Sequence, residues 1–421
     1  MSERTGLAPS LWAPSTQMGL AQGNQELIVR GEGAYLYTGD GRRLFDGTAT
    51  LWFANIGHGR ADIAEAAARQ MRELETHQIW SNFVHPRVAE LSERLTGAMS
   101  PIPDAKVMFG SGGSDSGEMA FRLARLHWRL KGQESKVRIL ARHSAYHGLH
   151  AFGTSLHWNR EVREAFGPGP LVADTGYIDR DDIEAVRATV LAEGPENIAA
   201  LVAEPIIGAG GVYPPTPGYL AGLRALCDEF DILLIFDEVV TGFGRTGEWF
   251  ASQRYEVVPD LTMFAKGITC GYIPLGGVFA ARKVWEPFWS TDPDYLYTFG
   301  VTYAGHATAC AVALAVLDVI EAEGLLDRVR ELEKRMLAGL SRIGELPYVS
   351  EVRGEGLMAA VKFDESVAAA RLAERLRTHS GMLVRPITDN AVVISPPFIT
   401  TDAELDALLD AIARGSAELV A

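Results

Sequence analysis

Cysteine is scarce in this sequence, and its spacing excludes both a disulfide framework and a cysteine-ligated zinc site. The 421 residues include three cysteines, Cys227, Cys270 and Cys310, which are far apart and odd in number. They provide neither a disulfide framework nor a zinc-type ligand spacing, and such sparse use is typical of a reducing cytoplasm. We therefore predict a cytoplasmic protein with no metal site.

Long hydrophobic runs and an excess of basic residues are also missing. No apolar stretch reaches the length of about 18 residues that a membrane helix needs, and the N-terminal segment MSERTGLAPSLWAPSTQMG lacks the apolar core of a signal peptide. Acidic residues outnumber basic ones by 54 to 39, which gives a net charge of -15. This charge disfavours nucleic acid and anionic membranes as partners, so we expect a small-molecule substrate.

Short apolar runs alternate with helix-like segments through most of the chain. The runs that predict strands are KVMFG, KVRILA, IAALVAEP, DILLIFDE, LTMFAKG and LGGVFAAR. Helices are predicted over 115–131, 218–230 and 307–322. The alternation predicts an α/β fold with a mostly parallel central sheet and helices on both faces.

The pattern changes after Gly324 and predicts a smaller α+β unit. DRVRELEKRMLAGLSRI reads as an amphipathic helix, VSEVRGEGLMAAVKF and AVVISPPF as strands, and TDAELDALLDAIARG as a capped final helix. We predict three parts: an N-terminal arm over 1–50 that packs with the small domain, a large domain over 51–308 and a small C-terminal domain over 309–421.

Polar residues follow several of the predicted strands. Because ligands bind beyond the carboxyl ends of the strands in open parallel sheets, we expect these residues to gather on one rim. They are Glu204, Asp237, Glu238 and Lys266, together with Tyr146, His147 and the glycine-rich turn after KVMFG.

The glycine-rich turn in FGSGGSDSGEMAF follows a strand and opens a long helix, so its backbone N–H groups can bind a phosphate. Neither a Walker nor a Rossmann motif fits, since no Gly-Lys-Ser/Thr follows and the third Rossmann glycine would fall on Asp115. The alternative is a simple helix cap made by Ser114 with Asp115. Asp115 and Glu118 would repel a phosphate unless their carboxylates point away.

Lys266 and Asp237 are the candidates for chemistry. No acidic residue lies within four positions of Lys266, and a desolvated lysine is an amine nucleophile that condenses with aldehydes. Asp237 on a neighbouring strand can hold a cationic ring nitrogen. With the phosphate turn, these features match pyridoxal phosphate. Each residue alone has an ordinary alternative, a surface lysine and an ion-pairing or capping acid.

Other residues are candidates to contact the cofactor ring. Tyr146 can stack on the ring and Val239 can pack on its opposite face, although both could also serve only to pack the core. His143, His147 and His150 are spaced like a metal site, but no carboxylate or cysteine completes the set, which favours hydrogen-bonded or solvated histidines.

Several segments resemble a known family, the class III pyridoxal-phosphate aminotransferases. LLIFDEVVTGFGRTGEWFA, FAKGITCGYIPLGGV and FGVTYAGHATACAVALAVL are similar to its three central motifs. LWFANIGHGRADIAEAAARQM, AYHG, LVAEPIIGAGGVYPP and LVRPITDNAVVISPPFITT are also similar in order and spacing. The sequence departs from the family in SGGSD, which stands where Asn-Ser-Gly-Ser-Glu is usual, and in TYAGHA, which stands for TYSGHP.

The resemblance implies a type I aminotransferase fold and a homodimer whose active sites lie at the subunit interface. Lys266 would be the Schiff-base lysine and Asp237 the partner of the pyridine nitrogen. The other implied cofactor contacts are Gly112 and Gly113 at the phosphate, Thr302 at the phosphate of the other subunit's cofactor, Tyr146 and Val239 at the ring, and Glu204 as a partner of Asp237 or a gate for an arginine. Thr302 bonded locally and Glu204 in a structural role are the alternatives.

LWFANIGHGR is most similar to the pyruvate-linked ω-transaminase branch, which acts on amines without an α-carboxylate. Trp52 and Trp80 are then candidates for the substrate pocket, or else core residues. Arg385 in VRPITD matches the arginine that pairs with the acceptor's carboxylate, a task that suits a guanidinium; a surface ion pair is its alternative.

The predicted function is ping-pong transfer of an amino group from an amine or ω-amino acid to a keto acid or aldehyde. Two alternatives stay open at this point. A same-fold aminomutase or amino-acid epimerase would need no second carbonyl substrate, and a non-enzymatic binding module is disfavoured by the presence of Lys266.

Overall fold

The computed structural model describes residues 8, 10–21 and 23–420, so the first seven residues of the predicted arm lie outside it. The strands are β1 Ile28–Glu32, β2 Tyr35–Thr38, β3 Arg43–Asp46, β4 Lys106–Gly110, β5 Arg138–Arg142, β6 Thr175–Ile178, β7 Ile198–Ala203, β8 Leu233–Asp237, β9 Leu261–Phe264, β10 Gly276–Ala280, β11 Val349–Glu355, β12 Met358–Phe363, β13 Met382–Leu383, β14 Arg385–Ile387 and β15 Ala391–Ile394. The helices are α1 Met18–Ala21, α2 Ala49–Trp52, α3 Ala61–Leu74, α4 Pro86–Thr96, α5 Gly113–Leu130, α6 Ala151–Ser155, α7 Arg160–Glu164, α8 Ile183–Glu193, α9 Tyr219–Glu229, α10 Ala251–Arg254, α11 Arg282–Trp285, α12 Ala307–Ala322, α13 Leu325–Gly344, α14 Ala369–Arg375 and α15 Asp402–Val420. Short 3₁₀ turns occupy Pro195–Asn197, Lys266–Ile268, Glu286–Trp289 and Pro293–Tyr295, and a π-helical turn occupies Leu376–Ser380.

The central sheet has seven strands in the order β4-β10-β9-β8-β7-β5-β6. β10 is antiparallel to both of its neighbours, and the other pairs are parallel. This confirms the predicted α/β fold with a mostly parallel sheet. The six predicted strands are present, but the edge strand β6 was missed because its four residues, TGYI, are mostly half-buried and give a weak apolar signal.

Helices cover both faces of this sheet, which explains why its central strands are apolar throughout. Every residue of β7 and β8 is buried. One face packs against α5, where Trp128 lies in the core, and the other against α8 and α9. The parallel strands therefore carry their carboxyl ends to one edge, as such sheets do.

A second, antiparallel sheet lies in the C-terminal part, in the order β11-β12-β15-β14. It packs with α13 and α15 around an apolar core. The last helix begins with the expected cap, since the Thr401 hydroxyl accepts from the Glu404 N–H at 3.3 Å and the Glu404 carboxylate accepts from the Thr401 N–H at 2.8 Å.

The N-terminal hairpins form a small sheet, β1-β2-β3, which β13 joins from the C-terminal part by parallel pairing with β3. The predicted boundary between large and small domains, at 308/309, falls inside α12. The three-part division stays a prediction. Within the described residues, no helix combines the length and the apolar character needed to cross a bilayer.

Candidate active site

Three neighbouring strands place charged side chains at one edge of the central sheet. Glu204 follows β7, Asp237 ends β8, and Lys266 lies just after β9. Burial lowers the pKa of the Lys266 amine, and the nearby carboxylates of Asp237 and Glu204 offset this only in part. Lys266 therefore gives up its proton more readily than a surface lysine and is a better nucleophile.

The carboxylate of Asp237 is buried and held on both oxygens. Oδ1 accepts the N–H of Val239 at 3.0 Å, and Oδ2 lies 2.8 Å from Nδ1 of His147. His147 is itself buried, and its Nε2 has no partner within the described part of the chain. The histidine therefore fixes the direction of the carboxylate.

Sequence reasoning placed His147 on the rim but missed this bond to Asp237. The signal was available, because AYHG follows a strand of the same parallel sheet. The alternative of a histidine metal site gains no geometric support, since no group of three or more His, Cys, Asp or Glu in the described ranges is arranged to hold a metal.

Glu204 uses both carboxylate oxygens to hold backbone. Oε1 accepts the N–H of Tyr146 and Oε2 accepts the N–H of Gly208, each at 2.9 Å. Burial, followed by the charge of Asp237, raises the pKa of Glu204 to about 7. Glu204 thus fastens the Tyr146 segment to its own loop and changes charge near neutral pH.

Glu238 does not join the rim, which corrects the sequence expectation. It is fully buried and accepts the N–H groups of Ala251 and Ser252 at the start of α10, with its other contact at the Thr241 hydroxyl. Consecutive residues at a strand end point to opposite sides, so Asp237 faces the cluster while Glu238 faces away.

The turn before α5 leaves room for an anion. Gly112 is the N-cap residue, no side chain caps the helix, and a Cβ built on Gly112 would meet nothing within 4 Å. The alternative of a helix cap made by Ser114 with Asp115 is therefore wrong. Ser114 instead accepts the N–H of Leu149, while Asp115 accepts the N–H of Ser111 at 2.8 Å.

The acidic residues near this turn have protein partners. Asp115 is engaged as described, and Glu118 is buried and accepts the N–H of Phe152 at 2.8 Å and the Arg122 Nε–H at 3.1 Å. Their charges are thereby partly compensated, and the helix N-terminus can favour an anion.

Two residues expected at the cofactor ring lie beside the cluster. Tyr146 is half-buried, and burial followed by the Asp237 charge raises the pKa of its hydroxyl. Val239 lies against the glycine turn, because a Cβ on Gly113 would come within 3.0 Å of Val239 Cγ1. Their contacts with a ring stay predictions.

The substrate candidates occupy different surroundings. Trp52 is buried in an apolar cluster with Ile206 and Val240, whereas Trp80 is 49% exposed and its ring lies beside Gly300. Thr302 is exposed on the segment before α12.

Arg385 begins β14 and lies near enough for its charge to lower the pKa of Lys266. Its alternative, a surface ion pair, finds no carboxylate partner among the described residues.

Two clefts lie away from this cluster and lack its chemistry. One, of about 590 Å³, is lined by Arg122, Arg125 and Arg129 of α5 with Tyr297 and Phe299. The other, of about 670 Å³, lies between α13 and α15. Neither contains a nucleophile beside a buried carboxylate, so the strand-end cluster remains the candidate site.

The cluster fits one cofactor in three separate respects. A desolvated amine, a fixed buried carboxylate and an open helix N-terminus match the aldehyde, the ring nitrogen and the phosphate of pyridoxal phosphate. Together with the mostly parallel sheet, they define an enzyme of the pyridoxal-phosphate transaminase class.

Comparisons with known proteins carry this further. The family model described as aminotransferase class-III matches residues 20–415. The chain is 34% identical over 416 residues to the putrescine–pyruvate aminotransferase of Pseudomonas aeruginosa, covering 91% of this chain and 88% of that protein. It is 33% identical to the β-alanine–pyruvate aminotransferase of the same species, covering 95% and 94%. The chain therefore belongs to the class III aminotransferase family.

Solved structures agree with this assignment. An amine transaminase from an uncultivated Pseudomonas species, in its PLP-bound form, gives a TM-score of 0.91 at 37% identity and covers 97% of this chain and 98% of that chain. An (S)-enantioselective ω-transaminase from Thermomicrobium roseum gives 0.91 at 36% identity, with coverage of 97% and 96%. The protein is a pyridoxal-phosphate-dependent aminotransferase of the ω-transaminase type, and nothing favours the aminomutase or epimerase alternative.

Proposed function

We propose that Lys266 and Asp237 are the catalytic residues of this aminotransferase. The observation that carries the proposal is the desolvated Lys266 amine beside the buried, doubly held Asp237 carboxylate. Bound pyridoxal phosphate supplies an electron sink for the substrate carbon. Nζ of Lys266 would take the proton from that carbon and return it at C4′ of the cofactor, acting first as general base and then as general acid.

Asp237 acts through its charge. A carboxylate with both oxygens fixed holds a proton on a nearby ring nitrogen, because the opposite charge favours the protonated form. The His147 contact keeps this carboxylate in one orientation throughout the reaction. Glu204, which holds Tyr146 and Gly208, supports the same side of the site.

We propose the remaining cofactor contacts from the positions of the residues involved. We assign the phosphate to the N–H groups of Gly112 and Gly113 at the start of α5, and the two ring faces to Tyr146 and Val239. Thr302 is exposed, which suits a contact with the cofactor phosphate of a second copy. The proposed assembly is accordingly a homodimer with shared sites.

Substrate recognition is assigned to Arg385, with Trp52 and Trp80 shaping the pocket. A guanidinium close to Lys266, with no carboxylate partner in the described part of the chain, can pair with the carboxylate of a keto acid or an ω-amino acid. Relatives named for putrescine, β-alanine and pyruvate support an amine or ω-amino acid donor with a keto acid acceptor. We place the enzyme in the cytoplasm, with its cofactor in the large domain over 51–308.

Replacement of Lys266 tests the catalytic assignment. Lys266→Ala should lower the transamination rate by about a thousandfold or more, because the general base is lost, while pyridoxal phosphate binding is partly retained. The exposed Lys334→Ala is the matched control and should keep the wild-type rate.

A second readout locates the reactive amine directly. Borohydride reduction of the loaded wild-type protein, followed by peptide mass mapping, should place the cofactor-derived mass on Lys266. Wild-type turnover in Lys266→Ala, or a mass label on another lysine, would overturn the assignment. A panel of amine donors with pyruvate or 2-oxoglutarate as acceptor then defines the substrate pair.

A further inference from the structure

We propose that four residues outside the active site position Arg385 and thereby set the enzyme's affinity for carboxylate-bearing substrates. They are Arg180, Tyr213, Arg353 and Asp389, here called the Tyr213 cluster. The inference rests on the proposed role of Arg385 in binding a substrate carboxylate. It assigns the cluster a positioning role, since none of its members is placed at the reacting atoms.

The cluster is built around one carboxylate oxygen and one aromatic ring. Oδ2 of Asp389 accepts Nη2–H of Arg353 at 2.8 Å and the Tyr213 hydroxyl at 3.2 Å. The Tyr213 ring has the guanidinium of Arg353 4.2 Å from its centroid and that of Arg180 at 3.9 Å. Charged hydrogen bonds and cation–π contacts thus act on the same tyrosine.

On one side, the cluster is continuous with the loop that carries Glu204. Tyr213 and Ile207 exchange two backbone hydrogen bonds, of 3.1 and 2.9 Å, which close this loop. Between them lies Gly208, whose N–H donates to Glu204 at 2.9 Å. These backbone bonds attach Tyr213 to the Glu204 loop, so the cluster has a fixed anchor on this side.

On the other side, the cluster holds the hairpin that carries Arg385. Asp389 lies in the turn between β14 and β15, and Arg385 pairs with Val393 in that hairpin. Only three residues separate Arg385 from Asp389, so the two belong to one short rigid element. The cluster fixes the distance between this hairpin and the Glu204 loop.

The turn has a second attachment that leaves its own fold intact when the cluster is broken. Asn390 donates from Nδ2 to the carbonyls of Asp364 at 2.9 Å and Val367 at 3.0 Å, and its Oδ1 accepts the N–H of Ala369 at 2.9 Å. These contacts are all within the C-terminal part. Loss of Asp389 would therefore free the hairpin relative to the Glu204 loop without unfolding it.

Arg353 makes the connection stiff because it is desolvated. Its side chain is 6% exposed, and besides Asp389 it has the half-exposed Glu351 as ion-pair partner at 2.9 Å. A buried guanidinium keeps its geometry where an exposed one would be mobile. The position of Asp389, and with it that of Arg385, is defined accordingly.

The expected consequence is selective for carboxylates. A guanidinium binds a carboxylate through two parallel hydrogen bonds, so a small misplacement weakens binding. An aldehyde without a carboxylate makes no such contact and is indifferent to the position of Arg385. The pair pyruvate and propanal differs in this group and is close in size.

Asp389→Asn and Tyr213→Phe test the inference with little change in shape. Each should raise the KM for pyruvate roughly tenfold, as loss of a charged hydrogen bond allows, while kcat with pyruvate and both constants with propanal stay near wild type. The exposed Asp410→Asn on α15 is the control and should change neither. The thermal midpoint of the cofactor-free protein shows whether each variant folds.

The outcomes separate this inference from the proposed function. If the KM rose equally for pyruvate and propanal, or did not rise at all in a folded Asp389→Asn protein, the cluster would be only structural. Arg385→Ala provides the reference: if it raises the KM for pyruvate and Asp389→Asn does not, the cluster inference fails while the role of Arg385 stands. If Arg385→Ala leaves the KM for pyruvate unchanged, the carboxylate role itself is wrong.

Discussion

Glu204→Gln in the cofactor-free protein is the most direct test of the electrostatics at the strand ends. The substitution keeps the shape of the side chain but removes its ionisation. In the wild type, burial and the Asp237 charge raise the pKa of Glu204 from 4.5 to about 7. The folded protein therefore holds this proton more tightly than the unfolded chain does.

The size of the effect follows from the two pKa values. Their difference is roughly 2.5, and each pKa unit corresponds to about 1.4 kcal/mol, so on the order of 3 kcal/mol is involved. Because the folded-state pKa is the higher one, this stabilisation is complete below the unfolded value of 4.5 and is lost as pH rises to about 7. The free energy of unfolding of the wild type should fall over that range relative to Glu204→Gln.

Two measurements check this. Urea unfolding of both proteins at pH 5 and pH 8.5 should show the wild type losing about 3 kcal/mol relative to the variant. Glutamine accepts only one of the two N–H groups now held by Glu204, but that cost is the same at each pH and cancels. An infrared band of a protonated carboxyl, present at pH 5.5 and absent from the variant, should titrate near neutrality. A difference in unfolding free energy that is constant with pH would refute the reasoning.

Two further predictions concern packing and the phosphate turn. Arg245→Met removes a fully buried guanidinium that donates to the carbonyls of Ser395 and Pro396. Because each unpaired buried carbonyl costs about 1–3 kcal/mol, scanning calorimetry should show a lower melting temperature. An unchanged melting temperature would contradict this. Gly112→Ala meets no neighbour within 4 Å and has an extended φ of 172°, so the melting temperature of the cofactor-free protein should stay constant. Its affinity for pyridoxal phosphate should drop about tenfold because the methyl group occupies the anion space, and unchanged affinity in a spectroscopic titration would argue against a phosphate there.

The edge of the sheet that carries the site could be predicted from the sequence, because buried strands are recognisable as short, continuous apolar runs. A charged residue lies at the end of β8 and just after β7 and β9, and parallel topology alone brings Glu204, Asp237 and Lys266 to one edge. The family resemblance, now confirmed by the match over residues 20–415, rested on the segments around these same residues. The fold class needed no side-chain detail.

What the sequence did not give was the direction of individual side chains. Asp237 and Glu238 are adjacent acids, yet one holds His147 and the other accepts the N–H groups at the start of α10. Ser114 looked like a helix cap but accepts the N–H of Leu149. Such choices depend on which backbone donor lies nearest in the folded chain, and contacts between residues distant in sequence decide that.

The same long-range dependence explains how the Lys266 backbone is held. Lys266 has φ of 47°, a left-handed conformation that is strained for a residue with a side chain. The next residue must be glycine, because a Cβ on Gly267 would lie 2.7 Å from Nδ2 of Asn55 and 3.0 Å from Cβ of Phe243. The Asn55 side chain is fixed in turn, since its Oδ1 accepts from the buried guanidinium of Arg245.

Arg245 is buried, and within the described residues it has no carboxylate partner, so its charge depends on hydrogen bonds to neutral oxygen atoms. Burial lowers the pKa of Arg245 to about 9, and the guanidinium is compensated by the carbonyls of Ser395 and Pro396 and by Asn55. These contacts join the C-terminal segment to the turn that aims Lys266. Besides lowering the melting temperature, Arg245→Met should therefore reduce the fraction of protein whose Lys266 carries the cofactor-derived mass after borohydride reduction. If Lys266 of the folded variant were labelled as completely as in the wild type, Arg245 would not hold the strained turn, and the packing of Gly267 alone would suffice.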